Sequence, residues 1–190
     1  MQYEAIVIGA SAGGLWALTG ILKMLPADFP LPIIIIQHRA QDERTLLGEV
    51  LQVKCRMPVK EADEKEPITG GIVYLGPAGY HLLIEKDRSF SLSCDPPVHY
   101  SRPSIDVLFE TASEAFGSSL AGIILTGANQ DGAAGIQSIR KRGGTTIAQS
   151  PASAPFPVMP LAAIATGSVQ YILEPEEINN FLAGIKSNVA

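Results

Sequence analysis

A short apolar run followed at once by a glycine-rich turn lies near the start of the chain. The run covers Ala5–Ile8, and the turn covers Gly9–Gly14 with a serine, Ser11, at its third position. A strand, a tight turn and a helix in this order make a βα unit, which places Ser11 at the corner. Backbone N–H groups at the start of such a helix are unpaired, so the corner is suited to holding a phosphate or the oxyanion of an attacked carbonyl.

Further strand and helix signals alternate along the chain. Ile33–Ile36 and Gly122–Leu125 are apolar runs that predict buried strands, and Thr45–Val53 has the apolar spacing of a helix. Alternating units of this kind predict parallel strands joined by right-handed crossovers. We therefore predict an α/β fold in a single domain spanning residues 1–190, with a three-layer, doubly wound and mostly parallel sheet.

Three segments depart from this alternation. His81–Glu85 and Ser89–Ser93 are short runs separated by a charged turn, which predicts a small antiparallel hairpin. The segment Ser150–Pro160 contains four prolines, which predicts an irregular loop without regular structure. A terminal helix is predicted from Pro175.

The composition excludes several classes of protein. Apolar residues make up 46% of the chain and the net charge is −5, with no cluster of basic residues that would neutralise nucleic-acid phosphates. No apolar stretch approaches the roughly 20 residues that span a bilayer, and no signal peptide is visible. Cys55 and Cys94 match no metal-ligand spacing and are expected to be free thiols. We expect a cytoplasmic protein with no cofactor, no metal, no integral membrane segment and no nucleic-acid partner.

Polar residues follow three of the predicted strands. They are Ser11, the pair Gln37 and His38, and the segment Thr126–Asp131. Sites in doubly wound sheets form beyond the carboxyl ends of the strands, so these loops are expected to converge on one crevice. A histidine there can take the proton of a serine hydroxyl while a carboxylate orients the imidazole. The position of these residues after three predicted strands therefore predicts Ser11 as the nucleophile, His38 as the base and Asp131 as the acid.

Other interpretations of the same residues remain open. Ser11 and Asp131 are each suited to capping the helix that follows, and His38 to a structural role at a strand end. The turn at Gly9–Gly14 is also a loose relative of the dinucleotide-binding fingerprint. That fingerprint expects glycine where Ser11 stands and an acidic residue where the second strand ends in Gln37 and His38.

Several motifs spread over about residues 4 to 175 carry a resemblance to a known family. They are found at Ile6–Gly14, Gln37–His38, Val73–Leu82, Ser101–Phe109, Leu125–Gly127, Asp131–Ala133 and Met159–Pro160. Together they resemble the catalytic domain of the chemotaxis protein-glutamate methylesterase (CheB) family. The resemblance implies a doubly wound α/β domain whose serine, histidine and aspartate triad falls on Ser11, His38 and Asp131. It also implies hydrolysis of glutamate methyl esters on chemoreceptor proteins, with deamidation of receptor glutamines as a related reaction.

Three positions depart from the usual pattern of this family. Ala12 stands where threonine is common, and Ala128 and Asn129 stand where methionine and glycine are usual. The family's methionine position is associated with the oxyanion hole, so we expect the backbone N–H groups of Ala12 and Ala128 to hold the oxyanion. Asparagine tolerates positive φ, so the loop is expected to keep its path at Asn129.

The resemblance also sets expectations about partners and regulation. The first predicted strand begins three residues after Met1, so we expect no phospho-receiver domain, which the family often carries, ahead of it in this chain. Methylated chemoreceptor helices are the expected partners, and no oligomeric state is predicted. Two other functions remain open: a catalytically weak receptor-docking protein, which the alanines at 12 and 128 would favour, and a phosphate- or nucleotide-binding α/β module.

Overall fold

Strands form the centre of the molecule. The computed structural model describes residues 3–39 and 46–185. The strands in these ranges are β1 (Ala5–Ala10), β2 (Ile33–Gln37), β3 (Val59–Glu61), β4 (Val73–Leu75), β5 (His81–Ile84), β6 (Phe90–Ser93), β7 (Leu120–Ile124), β8 (Thr145–Gln149) and β9 (Tyr171–Leu173). Seven of them form a parallel sheet in the order β3-β4-β2-β1-β7-β8-β9, and β5 and β6 form a separate antiparallel pair.

Helices cover both faces of the main sheet. They are α1 (Gly14–Leu22), α2 (Leu47–Lys54), α3 (Ile105–Phe116), α4 (Ala133–Lys141), α5 (Val158–Ala165) and α6 (Pro175–Ala183). One buried cluster joins the sheet to α1, α2 and α6, and the other joins it to α3, α4, α5 and the hairpin. The three-layer, doubly wound α/β fold and its small antiparallel hairpin are therefore confirmed.

The strand sequences explain why the sheet is covered on both sides. In β1, Ile6 and Ile8 belong to one buried cluster and Val7 to the other, and all three are fully buried. Such strands are continuous apolar runs without alternation, which is typical of parallel sheets with helices on both faces.

The order of the strands fixes where a site can form. From β1 the chain proceeds to β2 on one side, whereas from β7 it proceeds to β8 on the other. The switch point of the sheet therefore lies between β1 and β7, and the loops after these strands separate to leave a crevice. Ser11 lies directly after β1, and Thr126 lies two residues after the end of β7.

Two local expectations needed correction. The proline-rich segment Ser150–Pro160 is not irregular throughout, because α5 begins at Val158 and includes Pro160 in its first turn. Proline is tolerated there because N–H groups in the first turn have no partner within the helix. The edge strand β3 was not predicted, since it has only three residues and none of them is fully buried. Thr45, where the predicted second helix begins, lies outside the described residues.

The described helices and the arrangement of potential metal ligands bear on membrane insertion and metal binding. No described helix combines the length and the apolar character needed to cross a bilayer. The described residues also contain no group of three or more His, Cys, Asp or Glu side chains placed to hold a metal ion. Cys55 is buried, Cys94 is exposed, and both are free thiols.

Candidate active site

Ser11 lies at the switch point of the sheet. Its backbone N–H donates to the carbonyl of Thr126 at 3.0 Å, which ties the end of β1 to the loop after β7. Gly13 then turns the chain into α1 with φ of 75°, a conformation that glycine adopts without a steric penalty. No side chain caps α1, so the structure does not use Ser11 as a helix cap. No hydrogen bond among the described residues involves the Ser11 hydroxyl, which leaves it available to a ligand.

His38 follows β2, the strand beside β1. Its backbone N–H donates to the carbonyl of Ala10 at 3.0 Å, so the backbones at Ser11 and His38 are neighbours across two strand ends. The imidazole Nε2 lies 2.8 Å from Oδ2 of Asp131. The sheet therefore brings together the predicted base and the predicted acid, which are 93 residues apart in sequence.

Asp131 is a fully buried carboxylate held by several donors. Besides His38, it accepts hydrogen bonds from the Ser104 hydroxyl at 2.8 Å and from the backbone N–H groups of Ile105 at 2.7 Å and Asp106 at 3.0 Å. It therefore lies against the N-terminus of α3, where the helix dipole favours a negative charge. It does not cap α4, because the N-cap is Gly132 with φ of 98° and no side-chain bond.

These contacts keep Asp131 ionised. Burial raises the pKa of the carboxyl, but the hydrogen bonds from His38, Asp106 and Ile105 outweigh burial, so the pKa lies below its ordinary value. Since an ionised carboxylate can only accept hydrogen bonds, Nε2 of His38 carries the proton that the pair shares. The lone pair of the neutral imidazole is then on Nδ1, which makes Nδ1 the basic atom.

The neighbours of Nδ1 differ from those expected. The Ser101 hydroxyl and the Asn129 side-chain amide each lie 3.4 Å from this nitrogen. No hydrogen bond joins Nδ1 to the hydroxyl of Ser11, although both residues belong to the described part of the chain. The structure thus pairs His38 with Asp131 and sets Ser11 on the adjacent strand end, while two long contacts steady the imidazole. Ser101 was noticed in the sequence only as part of a motif.

The loop after β7 has a different conformation at Asn129 from the one expected. Asn129 is not among the non-glycine residues of the described chain that have positive φ. Its side-chain oxygen instead accepts the backbone N–H of Asp131 at 3.1 Å, and its amide faces His38. Asparagine therefore contributes to the loop through its hydrogen-bonding side chain rather than through backbone freedom.

The backbone N–H groups of Ala12 and Ala128 have no acceptor among the described residues. No hydrogen bond within residues 3–39 and 46–185 uses the N–H of Ala12 or of Ala128, and Ala128 is exposed. Thr126 holds the two loops together, because its hydroxyl donates to the carbonyl of Ala12 at 2.9 Å and accepts the N–H of Phe156 at 3.0 Å. In the sequence, Thr126 is marked only by its position directly after a predicted strand.

Two depressions adjoin these residues. An open groove of about 640 Å³ is lined by Ser11, Gly13, Gly14, Leu15, Trp16, Thr19, Gln37 and Val50. A second pocket of about 410 Å³ is lined by His38, Arg39, Pro97, Tyr100, Ser101, Arg102 and Pro103. Gln37 connects the two, since its side chain donates to the carbonyl of Ser11 at 2.9 Å and to that of its neighbour His38 at 3.0 Å.

A second buried carboxylate, Asp106, lies beside Asp131 and was not singled out in the sequence. Its Oδ1 accepts the N–H of Gly135 at 2.7 Å, and its Oδ2 lies 3.5 Å from Nε2 of His99. Burial and the negative charge of Asp131 raise the pKa of Asp106 to about 6, although Gly135 and His99 oppose the shift. Asp106 thus changes its protonation state in the pH range in which many enzymes work.

Asp106→Asn is expected to stabilise the protein at neutral pH and to leave it unchanged near pH 4. The folded carboxyl keeps its proton up to about pH 6, whereas the ordinary value is 3.8, so the wild type loses stability as pH rises between these values. Asparagine keeps the acceptor for Gly135 without the charge. Urea unfolding should show the variant more stable by roughly 3 kcal/mol at pH 7.5. A difference in the free energy of unfolding that does not change with pH would contradict the raised pKa of Asp106.

The fold and the site together define a class of protein. A doubly wound α/β sheet with an imidazole–carboxylate pair beside a serine at its switch point is an arrangement suited to serine hydrolysis. The sequence matches the family model described as CheB methylesterase over residues 6–182. The chain belongs to the CheB methylesterase family, and the resemblance noted from the sequence motifs is confirmed.

Individual relatives agree with this assignment. A Leptospira interrogans protein with the provisional name protein-glutamate methylesterase/protein-glutamine glutaminase is 48% identical over 99% of this chain and 97% of its own length. The protein-glutamate methylesterase FrzG of Myxococcus xanthus is 38% identical over 90% of this chain, and the chain spans about half of that relative, 51%. The crystal structure of the Thermotoga maritima CheB methylesterase catalytic domain matches 98% of this chain with a TM-score of 0.92 and 30% identity.

Proposed function

We propose that this chain is a serine hydrolase that removes methyl groups from glutamate methyl esters of chemoreceptor proteins. The observation that carries the proposal is the 2.8 Å contact between His38 and the buried Asp131 at the switch point of the sheet, where the hydroxyl of Ser11 makes no hydrogen bond with any described residue. Membership of the CheB methylesterase family supports the choice of substrate.

In the first half of the reaction, Ser11 is the nucleophile. Nδ1 of His38 takes the proton of the hydroxyl as Oγ attacks the ester carbonyl carbon, and Asp131 stabilises the imidazolium that forms. The N–H groups of Ala12 and Ala128 donate to the oxyanion, and such donors are typically worth about 3 kcal/mol each. The intermediate collapses when the C–O bond to the methoxy group breaks and Nδ1 returns its proton to the departing methanol.

The second half of the reaction releases the glutamate. A water molecule gives its proton to Nδ1 of His38 and attacks the acyl carbon, and the bond to Oγ of Ser11 then breaks as Nδ1 returns the proton to Oγ. The products are a free glutamate side chain and a regenerated serine. A glutamine side chain passes through the same acyl-enzyme with ammonia as the leaving group, which accounts for deamidation as a related activity.

The surroundings of Ser11 support a protein as the substrate. Leu15, Trp16 and Val50 line the groove with 40%, 67% and 43% of their surfaces exposed. An exposed apolar patch beside a polar reaction centre is typical of a protein-binding surface, and the apolar face of a receptor helix fits this chemistry. A cytoplasmic location is part of the proposal, and the free thiols of Cys55 and Cys94 agree with a reducing compartment.

A methanol-release assay tests the proposal directly. A helical peptide bearing one glutamate γ-methyl ester should release one methanol per ester in the presence of the chain. Binding of this peptide without methanol release, together with no labelling of Ser11 by a fluorophosphonate, would overturn the proposal in favour of the docking protein. Labelling of Ser11 with methanol release would exclude the docking protein.

A further inference from the structure

The pocket lined by His38 is also lined by two arginines, Arg39 and Arg102, and by no acidic side chain among the described residues. We infer that this pocket binds a carboxylate side chain of the substrate protein close in sequence to the ester-bearing glutamate. The inference rests on the proposed function, because it assigns the second pocket to the same bound substrate. His38 lines the pocket, so a group bound there lies next to the reaction centre.

Arg39 is the first of the two arginines. Its side chain is only 5% exposed, and its guanidinium donates to a Glu61 carboxylate oxygen and to the carbonyl of Gly76 at 3.1 Å. Its Nε is buried and has no hydrogen-bond partner among the described residues. A buried donor without a partner destabilises a protein, so an arginine kept in this state at the wall of a pocket indicates a site that an acceptor completes.

Arg102 is the second arginine that lines this pocket. One of its terminal nitrogens donates to the carbonyls of Cys94 at 2.8 Å and Asp95 at 3.2 Å, and these contacts fix the direction of the guanidinium. Its Nε is also buried and unpartnered in the part of the chain that the structure describes, and no carboxylate there forms an ion pair with it. Within the described ranges, the positive charge of Arg102 is therefore not paired with a carboxylate.

The polarity of the pocket selects the ligand. Glu61 offsets part of the charge of Arg39, but no described carboxylate forms an ion pair with Arg102, so the described wall of the pocket is cationic in a chain whose net charge is −5. Two planar guanidiniums match the geometry of a carboxylate, and Tyr100 and Ser101 add polar groups on the wall. Aspartate or glutamate beside the ester is therefore the preferred neighbour on the substrate.

Two matched ester peptides test the inference. They share one helical sequence with a glutamate γ-methyl ester, and they carry either Glu or the uncharged Met at positions within one helical turn of it. We expect kcat/KM for methanol release to favour the Glu peptide by roughly tenfold, in line with charge-assisted hydrogen bonds from arginine. Arg102→Gln and Arg39→Gln should each reduce this preference to about twofold or less.

The ratio of kcat/KM for the two peptides does not depend on how much of a variant is folded. A variant that folds poorly lowers both rates together and leaves the ratio unchanged. Arg142→Gln is the matched control, because Arg142 makes its ion pair with Glu114 and does not line the pocket, and it should retain the wild-type ratio. Equal rates on both peptides with the wild type, or a preference that survives in both pocket variants, would overturn the subsite alone. No hydrolysis of either peptide would overturn the proposed function and the subsite with it.

Discussion

Ser11→Ala is expected to lower methyl ester hydrolysis by a factor of about 10³ to 10⁶, as loss of a catalytic serine does in other hydrolases. The variant lacks the oxygen that forms the acyl-enzyme, and only binding and the oxyanion donors remain to accelerate the reaction. Its stability should match that of the wild type, because the hydroxyl makes no hydrogen bond within the described residues. Methanol release and the thermal unfolding midpoint measure the two effects.

Ser101→Ala is the matched control for this experiment. Its hydroxyl is 3.4 Å from Nδ1 of His38, so Ser101 is a second serine close to the proposed base. We expect this substitution to change the rate by less than about tenfold, because Ser101 contributes only a long contact to the imidazole. If Ser101→Ala abolished hydrolysis and Ser11→Ala did not, the nucleophile would be Ser101.

Asp131→Asn is expected to lower kcat by roughly 10⁴-fold, by analogy with the same substitution in other triads. The carboxylate accepts four hydrogen bonds, including the one from Nε2 of His38. An asparagine has one acceptor oxygen, and its NH₂ group would point at hydrogen-bond donors. It therefore cannot accept all four of these hydrogen bonds. The imidazole then loses both its preferred tautomer and the charge that stabilises its protonated form.

The same substitution should also reduce stability in a pH-dependent way. The pKa of Asp131 is lowered in the folded state, so its ionised form contributes stability above the ordinary value of 3.8, which is lost as pH falls through the folded pKa. Unpaired donors at the start of α3 add a cost of about 1 to 3 kcal/mol. Urea unfolding should therefore show a larger difference between the two proteins at pH 7 than at pH 3.

A surface aspartate provides the comparison for Asp131. Asp63 is exposed and pairs with Lys60 at 2.9 Å, away from both depressions. Asp63→Asn makes the same chemical change and should alter neither kcat nor unfolding appreciably, because surface ion pairs contribute little. Activity within tenfold of the wild type in Asp131→Asn would rule out Asp131 as the orienting acid.

Much of the fold followed from local signals. The β-branched run at Ile33–Ile36 and the apolar run at Gly122–Leu125 predicted strands that the structure contains within one or two residues. The hairpin was predicted because its two runs are separated by a charged turn. The edge strand β3 was missed, since a three-residue strand gains its stability from pairing with β4 and not from its own sequence.

The site was predictable only in part. Serine, histidine and aspartate after three strands could be noticed because parallel strands end at one edge of a sheet. The contacts of Asp131 with the start of α3 could not be predicted from the sequence. The residues that donate to it, Ser104, Ile105 and Asp106, belong to a segment that is distant from Asp131 along the chain. The neighbours of Nδ1 and the cationic pocket likewise depend on the segment around Ser101 and Arg102 crossing over His38.

Local pattern was therefore sufficient for the order of strands and helices and for the glycine turn at Ser11, because short-range backbone preferences and apolar periodicity act between near neighbours in the chain. The family was recognised separately, from the resemblance of several motifs spread along the sequence. The ionisation of Asp131, the choice of Nδ1 as the basic nitrogen and the two arginines beside His38 arose only on folding. These properties depend on burial and on donors contributed by distant segments, and both are absent until the sheet and α3 are packed together.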